Sequence, residues 1–366
     1  MVACRKWYEG WTRLIDSRQK RKACVAEATD LRNQMNQLIR GYWVTQAIYV
    51  VAELGVADLL VNGPKAAAEL AETTGANADL LYRVLRALAS LGIFSEDQDG
   101  RFRLTPLADT LRSERGGQRA YAQLHGKDLY QSWGKLLEAV RSGRTAFVEA
   151  FGMPVFDYMS QHPDRGAVFD KAMMGHHGDE TEPVLDAYDF SSFDEIVDIG
   201  GGNGSVLVGT LRRHPRLNGV LFYLPTVAVR ALTAIESAGL QGRCRVESGS
   251  FLEAVPAGAD LYLMRHVLHD WRDEDAATIL RNCRSAMRPD GRIVVVETVV
   301  PAGNDPSFAK WMDLMMITYG GKERSEIQYR RLFSDAGFEL TRVVPTRVGV
   351  SIIEGVPDPK ATHRGA

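Results

Sequence analysis

The chain has 366 residues, 45% of them hydrophobic and 25% charged, with a formal net charge of −2. That length allows two or three domains, and the near-neutral balance gives no global reason to expect a nucleic acid or a membrane as partner. The four cysteines, Cys4, Cys24, Cys244 and Cys283, show no C-x-x-C spacing and have no clustered histidines, so neither a metal site nor a disulfide framework is expected and a reducing cytoplasm is the default setting.

Residues 1–35 carry eight Lys or Arg against four Asp or Glu, and Trp7, Trp11, Leu14 and Ile15 share one face if the segment is helical. No apolar run follows the charges, which excludes a signal peptide. The segment reads as a helical extension packed on a subunit neighbour, the alternative being a basic arm for an anionic partner. From Gln37 to Leu60 the pattern predicts a long amphipathic helix ending near Gly55. A short helix, a turn at Gly75, a second helix from Ala78 to Leu91 and a hairpin with its tip at Glu96 to Gly100 follow. Residues 36–118 thus have a winged-helix outline. A DNA-reading second helix needs a basic face, yet Arg83 and Arg86 stand among Leu80, Leu81, Val84, Leu85 and Leu88, so most of this helix is core.

Residues 119–187 read as helical and carry Trp133, Phe147, Phe151, Met153, Phe156, Tyr158, Met159, Phe169, Met173 and Met174. Such a stripe reads first as core, although its position before the next segment would let this helical linker roof a cofactor site. His176 and His177 read as a surface pair.

The organising stretch runs from Asp194 to Leu224. Its first apolar run, Ile196 to Ile199, contains Asp198 and feeds into Gly200, Gly201, Gly202, Asn203 and Gly204. Val206, Leu207, Val208 and Leu211 then recur at helical spacing, and Val220 to Leu224 forms a second apolar run, giving strand, glycine turn, helix, strand. The dinucleotide fingerprint G-x-G-x-x-G fails, because from Gly200 its last glycine falls on Ser205. D-x-G-x-G-x-G fits instead, a spacing that brings backbone close to an uncharged adenosine and an amino-acid tail, as for S-adenosylmethionine. The plain alternative is a structural glycine turn.

Further parallel strands are expected at Cys244 to Glu247, Asp260 to Met264 and Arg292 to Val296, with a helix from Ala276 to Met287. Phe338 to Pro345 and Val348 to Glu354 are joined by so short a connection around Thr346 and Arg347 that they must pair antiparallel. The fold class is therefore α/β, a doubly wound methyltransferase-type sheet over residues 188–356 with a C-terminal antiparallel hairpin, then a polar tail over 357–366.

VDIGGGNG, GVLFYLP, LMRHVLHDWRDED, VVVETVVP and GGKERSEIQYRRLFSDAGF follow in order. From about residue 35 onward the chain resembles the small-molecule O-methyltransferases that include plant caffeic acid methyltransferases and bacterial polyketide and antibiotic-tailoring enzymes. The resemblance implies S-adenosylmethionine as cofactor, an aromatic or polyketide-like substrate, and a homodimer formed through the N-terminal domain. It also implies His269 as general base and Glu297 as the acid that orients it, since a phenol of pKa about 10 must lose its proton to become a good nucleophile. His266 does not match the family's base, which immediately precedes Asp270 and Trp271. Asp198, Gly200, Gly202 and Gly204 are implied at the methionine end, Ser250, Phe251 and Trp271 at the adenine, with Met264 and Arg265 bordering that ring. Met173, His176, Asp270, Met316 and Tyr319 are implied around the acceptor.

Two positions depart from the family pattern. The ribose-binding acid at the end of the second strand is replaced by Tyr223, with no Asp or Glu between Asp198 and Glu236. The second glutamate beside the base is read as replaced by Gln328, which holds an imidazole without stabilising its cation. Together they open a second reading, in which the fold serves non-methylating chemistry such as cyclisation, hydroxylation or decarboxylation. Restoring a charge-assisted acceptor is worth about 1.5–3 kcal/mol, or roughly 10- to 100-fold. Tyr223→Asp is therefore expected to tighten S-adenosylmethionine binding by that factor in calorimetry; unchanged affinity would contradict the role given to position 223.

Overall fold

The computed structural model describes residues 24–177, 180–202, 204–223, 232 and 234–359, with the side chains of 24–29, 176 and 177 also left outside. Trp7, Trp11, Leu14, Ile15, Asn203, Leu224 and the end of the tail lie outside the described residues.

The described residues begin with α1 (Cys24–Ile39) and α2 (Gly41–Glu53), where the sequence pattern suggests one uninterrupted helix. The break falls before Gly41, a residue that weakens a helix interior. Strand β1 (Lys65–Ala66), α3 (Ala67–Thr74), α4 (Ala78–Ala89), β2 (Phe94–Glu96) and β3 (Arg101–Leu104) follow. Asn77 caps α4 by accepting from the Leu80 N–H, and Leu81, Leu85 and Leu88 are its buried face. The expected hairpin pairs Phe94 with Leu104, and β1 adds an unexpected third strand through Lys65 and Phe102.

Helix α5 (Gln118–Gly126) precedes α6 (Leu136–Ser142), α7 (Ala146–Phe151), α8 (Val155–Gln161), α9 (Pro163–His177) and α10 (Thr181–Ala187). The chain divides into two compact units, and the helical stretch 119–187 is shared between them. Pro163–Gly175 joins the segment ending at Tyr130, while Gln131–His162 joins everything from His176 onward. Within the first unit Arg165 makes a buried ion pair with Asp128. Gly117 and Gly175 approach so closely that a side chain at either would strike the other's backbone.

The second unit holds a seven-stranded sheet in the order β6-β5-β4-β7-β8-β10-β9. Strands β4 (Glu195–Ile199), β5 (Asn218–Tyr223), β6 (Cys244–Ser248), β7 (Leu261–Arg265) and β8 (Arg292–Thr298) are parallel. Strands β9 (Phe338–Pro345) and β10 (Val350–Pro357) form the hairpin, with β10 inserted between β8 and β9 and antiparallel to both. Alternation along the central strands separates two cores. Val197, Ile199, Tyr262, Met264, Ile293 and Val295 enter one cluster, and Ile196, Leu261, Leu263, Val294 and Val296 enter the other. Helices α11 (Ser205–Arg213), α12 (Asp273–Ala286), α13 (Phe308–Tyr319) and α14 (Glu326–Asp335) complete the unit. Among the described residues no helix is long and apolar enough to cross a membrane.

On β10, Glu354 is buried and accepts from Tyr188 Oη at 2.6 Å, Thr341 Oγ1 at 2.8 Å, Arg342 Nη2 at 3.0 Å and Arg292 Nη1 at 3.1 Å. Burial works to raise its pKa, but these donors outweigh burial and hold it down at about 2. A depressed folded-state pKa gives stability that is present above the ordinary value of 4.5 and is lost as the pH falls through about 2. Glu354→Gln is expected to cost about 1–3 kcal/mol in urea unfolding at neutral pH and to flatten the stability loss across that acid window; an unchanged acid limb would remove Glu354 as its source.

Candidate active site

Three strand ends build the site. After β4 the chain turns through Gly200 and Gly202, both at positive φ (68° and 58°), and enters α11 through Gly204 at 72°. Gly201 folds directly over the Asp198 carboxylate, so a Cβ there would lie 2.3 Å from Oδ2. A Cβ on Gly202 would meet nothing within 4 Å, so the turn is open on that side. Burial pushes Asp198 up to about 7, with Arg265 partly opposing it. A buried carboxylate beneath the turn is the wrong charge for a diphosphate and the right one for an ammonium group.

The structure brings Tyr223 to the same turn, its ring 3.9 Å from where a Cβ of Gly200 would stand. Phe251 and Trp271 meet edge to face with centroids 5.7 Å apart, and Ser250 is half-buried next to Phe251. Met264 does not fit its expected place. It is fully buried within the sheet's core and has no surface to present to a ligand, because its position in the alternation faces the covering helices. Arg265 turns its guanidinium to Ser205 Oγ at 3.1 Å and to Glu180 at 3.6 Å.

The second strand end is that of β7, where the chain passes through His266 and a single 3-10 turn, Leu268–Asp270. The third is β8, whose penultimate residue, Glu297, is fully buried. Glu297 Oε1 accepts from the Val267 N–H at 3.0 Å and the His269 N–H at 3.3 Å, while Oε2 lies 3.4 Å from His269 Nδ1. His269 Nδ1 also lies 3.0 Å from Glu323 Oε1, and Asp270 Oδ1 is 3.6 Å from Nε2. With carboxylates at Nδ1, the proton of the neutral ring belongs there, and Nε2 is the atom that gains or loses the second proton. Burial pulls the His269 pKa down, but Glu297, Asp270 and Glu323 push it up further, and the balance is raised. Glu297 is raised too, chiefly by burial, with Glu323 acting in the same direction against His269.

Gln328 is a correction. Its side chain is exposed and closes a capping box, Oε1 accepting from the Ser325 N–H at 2.8 Å while the Ser325 hydroxyl accepts from the Gln328 N–H. The carboxylate beside His269 belongs to Glu323, five residues earlier in the same motif. The S-x-x-Q spacing of Ser325 and Gln328 is a helix-start signal that places Gln328 at the cap from sequence alone.

Two more residues of that motif were missed by the sequence reading. A Cβ on Gly321 would come within 1.8 Å of His269 O, so only glycine lets this backbone run against the histidine loop, and the Lys322 N–H donates to that same carbonyl at 2.8 Å. Arg324, fully buried, donates to Leu268 O and Trp271 O at 2.8 Å each and to Asp273 Oδ1 at 2.9 Å. It clamps both ends of the 3-10 turn that carries His269. Of the residues expected around the acceptor, Asp270 adjoins His269, and Met316 (buried) and Tyr319 (half-buried) lie on α13. Met173 lies in the first unit, and the His176 side chain is outside the described residues.

An O-methyltransferase domain model matches residues 133–339 and an O-methyltransferase dimerisation domain model matches residues 36–114. The chain belongs to the O-methyltransferase family. It is 44% identical to a phenazine O-methyltransferase of Lysobacter antibioticus over 334 residues, covering 91% of this chain and 98% of that one. An O-methyltransferase from neocarzinostatin biosynthesis, solved in complex with S-adenosylmethionine and 2-hydroxy-5-methyl naphthoic acid, superposes with a TM-score of 0.77. The two are 34% identical, and the match covers 86% of this chain and 95% of that one. The chain is also 35% identical to aclacinomycin 10-hydroxylase of Streptomyces purpurascens, over 80% of this chain and 81% of that one.

Removing the Arg324 fork strips the Leu268 and Trp271 carbonyls and Asp273 Oδ1 of its hydrogen bonds. Arg324→Met is expected to cost about 3 kcal/mol or more in urea unfolding, with Arg324→Lys recovering only part, because an ammonium cannot reproduce the planar fork. A loss below about 0.5 kcal/mol for the Met variant would show that the turn holds itself.

Proposed function

We propose that this protein transfers a methyl group from S-adenosylmethionine to a hydroxyl of an aromatic or polyketide-like secondary metabolite. The single observation that carries the reading is His269, buried, with Nδ1 held between Glu323 and Glu297 and Nε2 left to take a proton. Asp198 and the backbone of Gly200, Gly202 and Gly204 fit the amino-acid end of the cofactor, and Phe251 with Trp271 fit its adenine. When bound there, S-adenosylmethionine supplies an electrophilic methyl group on a positively charged sulfur.

His269 Nε2 accepts the proton of the acceptor hydroxyl as the oxygen becomes nucleophilic. Glu323 and Glu297 stabilise the resulting imidazolium, and the clamp by Arg324 keeps the ring from turning away. Because Glu323 is a carboxylate, the imidazolium has the ionic support that a neutral glutamine cannot give. Exposed Leu31, Met35, Leu38, Ile39, Tyr42 and Trp43 along α1 and α2, together with the dimerisation-domain match, support a homodimer through the N-terminal unit.

A second reading, non-methylating chemistry on the same fold, draws on Tyr223 and on the relative named as a hydroxylase. Mass spectrometry of products from a panel of hydroxylated phenazines, naphthoates and aminobenzoates separates the two. An added methyl group supports methyl transfer; an isomer or an added oxygen supports the second reading. With a methylated substrate, His269→Ala is expected to lower kcat about 10²- to 10⁴-fold and Glu323→Gln by a lesser factor, while Gln328→Ala leaves it near wild type. A wild-type rate for His269→Ala would exclude it as the base.

A further inference from the structure

We propose that His266, His269 and Glu297 bind a single divalent transition-metal ion such as Zn2+, and that occupancy switches off His269 as a base. The binding half stands on geometry alone; the switching half rests on the base role proposed above.

One ring nitrogen of each histidine and a carboxylate oxygen of Glu297 lie within 4.8 Å of one another, the only such His, Cys, Asp and Glu group among the described residues. Glu297 Oε2 is 3.4 Å from His269 Nδ1 and 3.8 Å from His266 Nδ1. Ligands about 2.1 Å from a tetrahedral ion stand about 3.4 Å apart, so two edges of the triangle are already near that spacing. Glu297 Oε2 and Glu323 Oε2 make no hydrogen bond although their residues are 0% and 3% exposed. Two buried carboxylates with idle oxygens beside two imidazoles leave negative charge that a cation would balance.

His266 is also oriented as a ligand. Its Nε2 lies 2.7 Å from Glu180 Oε2, the oxygen that Arg265 also approaches at 3.6 Å. Nε2 therefore carries the proton and Nδ1 presents a lone pair towards Glu297, the carboxylate–histidine–metal arrangement that fixes tautomer and ring orientation. Among the described residues His266 is the only non-glycine at positive φ (53°), a cost of about 1 kcal/mol borne where the side chain is turned towards His269, ring centroids 5.3 Å apart. Two imidazoles and a carboxylate favour zinc, nickel or copper over magnesium or calcium.

Coordination through Nδ1 of His269 displaces the proton shared with Glu323, which leaves to solvent. For the neutral ring a proton is taken up from solvent on Nε2 in exchange, so the coordinated imidazole carries its one proton on the atom that must accept from substrate. Metal and catalysis thus exclude one another.

The test is Co2+ titration of the chelator-treated full-length chain, read by its visible d–d absorbance. One Co2+ per protomer is expected, displaced by Zn2+. His266→Asn, which tolerates the left-handed backbone, is expected to weaken binding about 100-fold, and Glu180→Gln about 10-fold. No saturable signal, or wild-type affinity in His266→Asn, overturns the site. Zn2+ is expected to inhibit methyl transfer by wild type and not by His266→Asn; full activity of the metal-loaded enzyme overturns the switch. Should no acceptor be methylated, the spectrum still decides the site, and only the proposed function fails.

Discussion

A carboxylate with no access to water fixes this site. Glu297 is the penultimate residue of β8, a strand held on one side by β7 and on the other by β10, so its position is set by the sheet. One oxygen takes the backbone N–H groups of Val267 and His269, which pins the loop after β7 to the neighbouring strand. The other oxygen faces the His269 ring. Burying such a charge is costly unless a donor or a cation accompanies it, so the residue that shapes the loop also favours a proton on His269 Nδ1. Loop geometry and proton affinity at His269 therefore share one cause.

The segment after α13 serves the same end from the opposite side. Gly320, at φ 108°, ends the helix, and Gly321 lets the backbone pass against His269 O. Glu323 then meets Nδ1, and Arg324 grips the carbonyls of Leu268 and Trp271. Four consecutive functions lie within five residues, each dependent on the absence or presence of a particular side chain. The short 3-10 turn carrying His269 has little hydrogen bonding of its own and is defined from outside by Glu297 and Arg324.

Local patterns made the sheet legible. Apolar runs of strand length separated by helical spacing mark β4 to β8, and the short link at Thr346 and Arg347 forces β9 and β10 antiparallel, though nothing local places β10 between β8 and β9. The turn at Asp198 was legible because glycine spacing reports backbone conformation directly. Glu323 was not, since which of several polar residues in GGKERSEIQ reaches the histidine depends on where α14 begins. The capping box of Ser325 and Gln328 settles that, and it moves the charged partner of His269 five residues upstream. His266 was set aside because only His269 fits the family's motif, yet with its left-handed backbone ahead of the turn both rings come to Glu297. Met264 was misplaced because the alternation along β7 turns it into the core.

Nitrogen NMR of the chain labelled in its histidine rings tests the central claim, that Glu323 and Glu297 hold His269 by Nδ1, most directly. The account predicts a strongly hydrogen-bonded, far-downfield Nδ1 proton on His269 that moves upfield in Glu323→Gln and stays in place in Gln328→Ala. A resonance that shifts with Gln328 and ignores Glu323, or an Nδ1 that carries no proton, would contradict it.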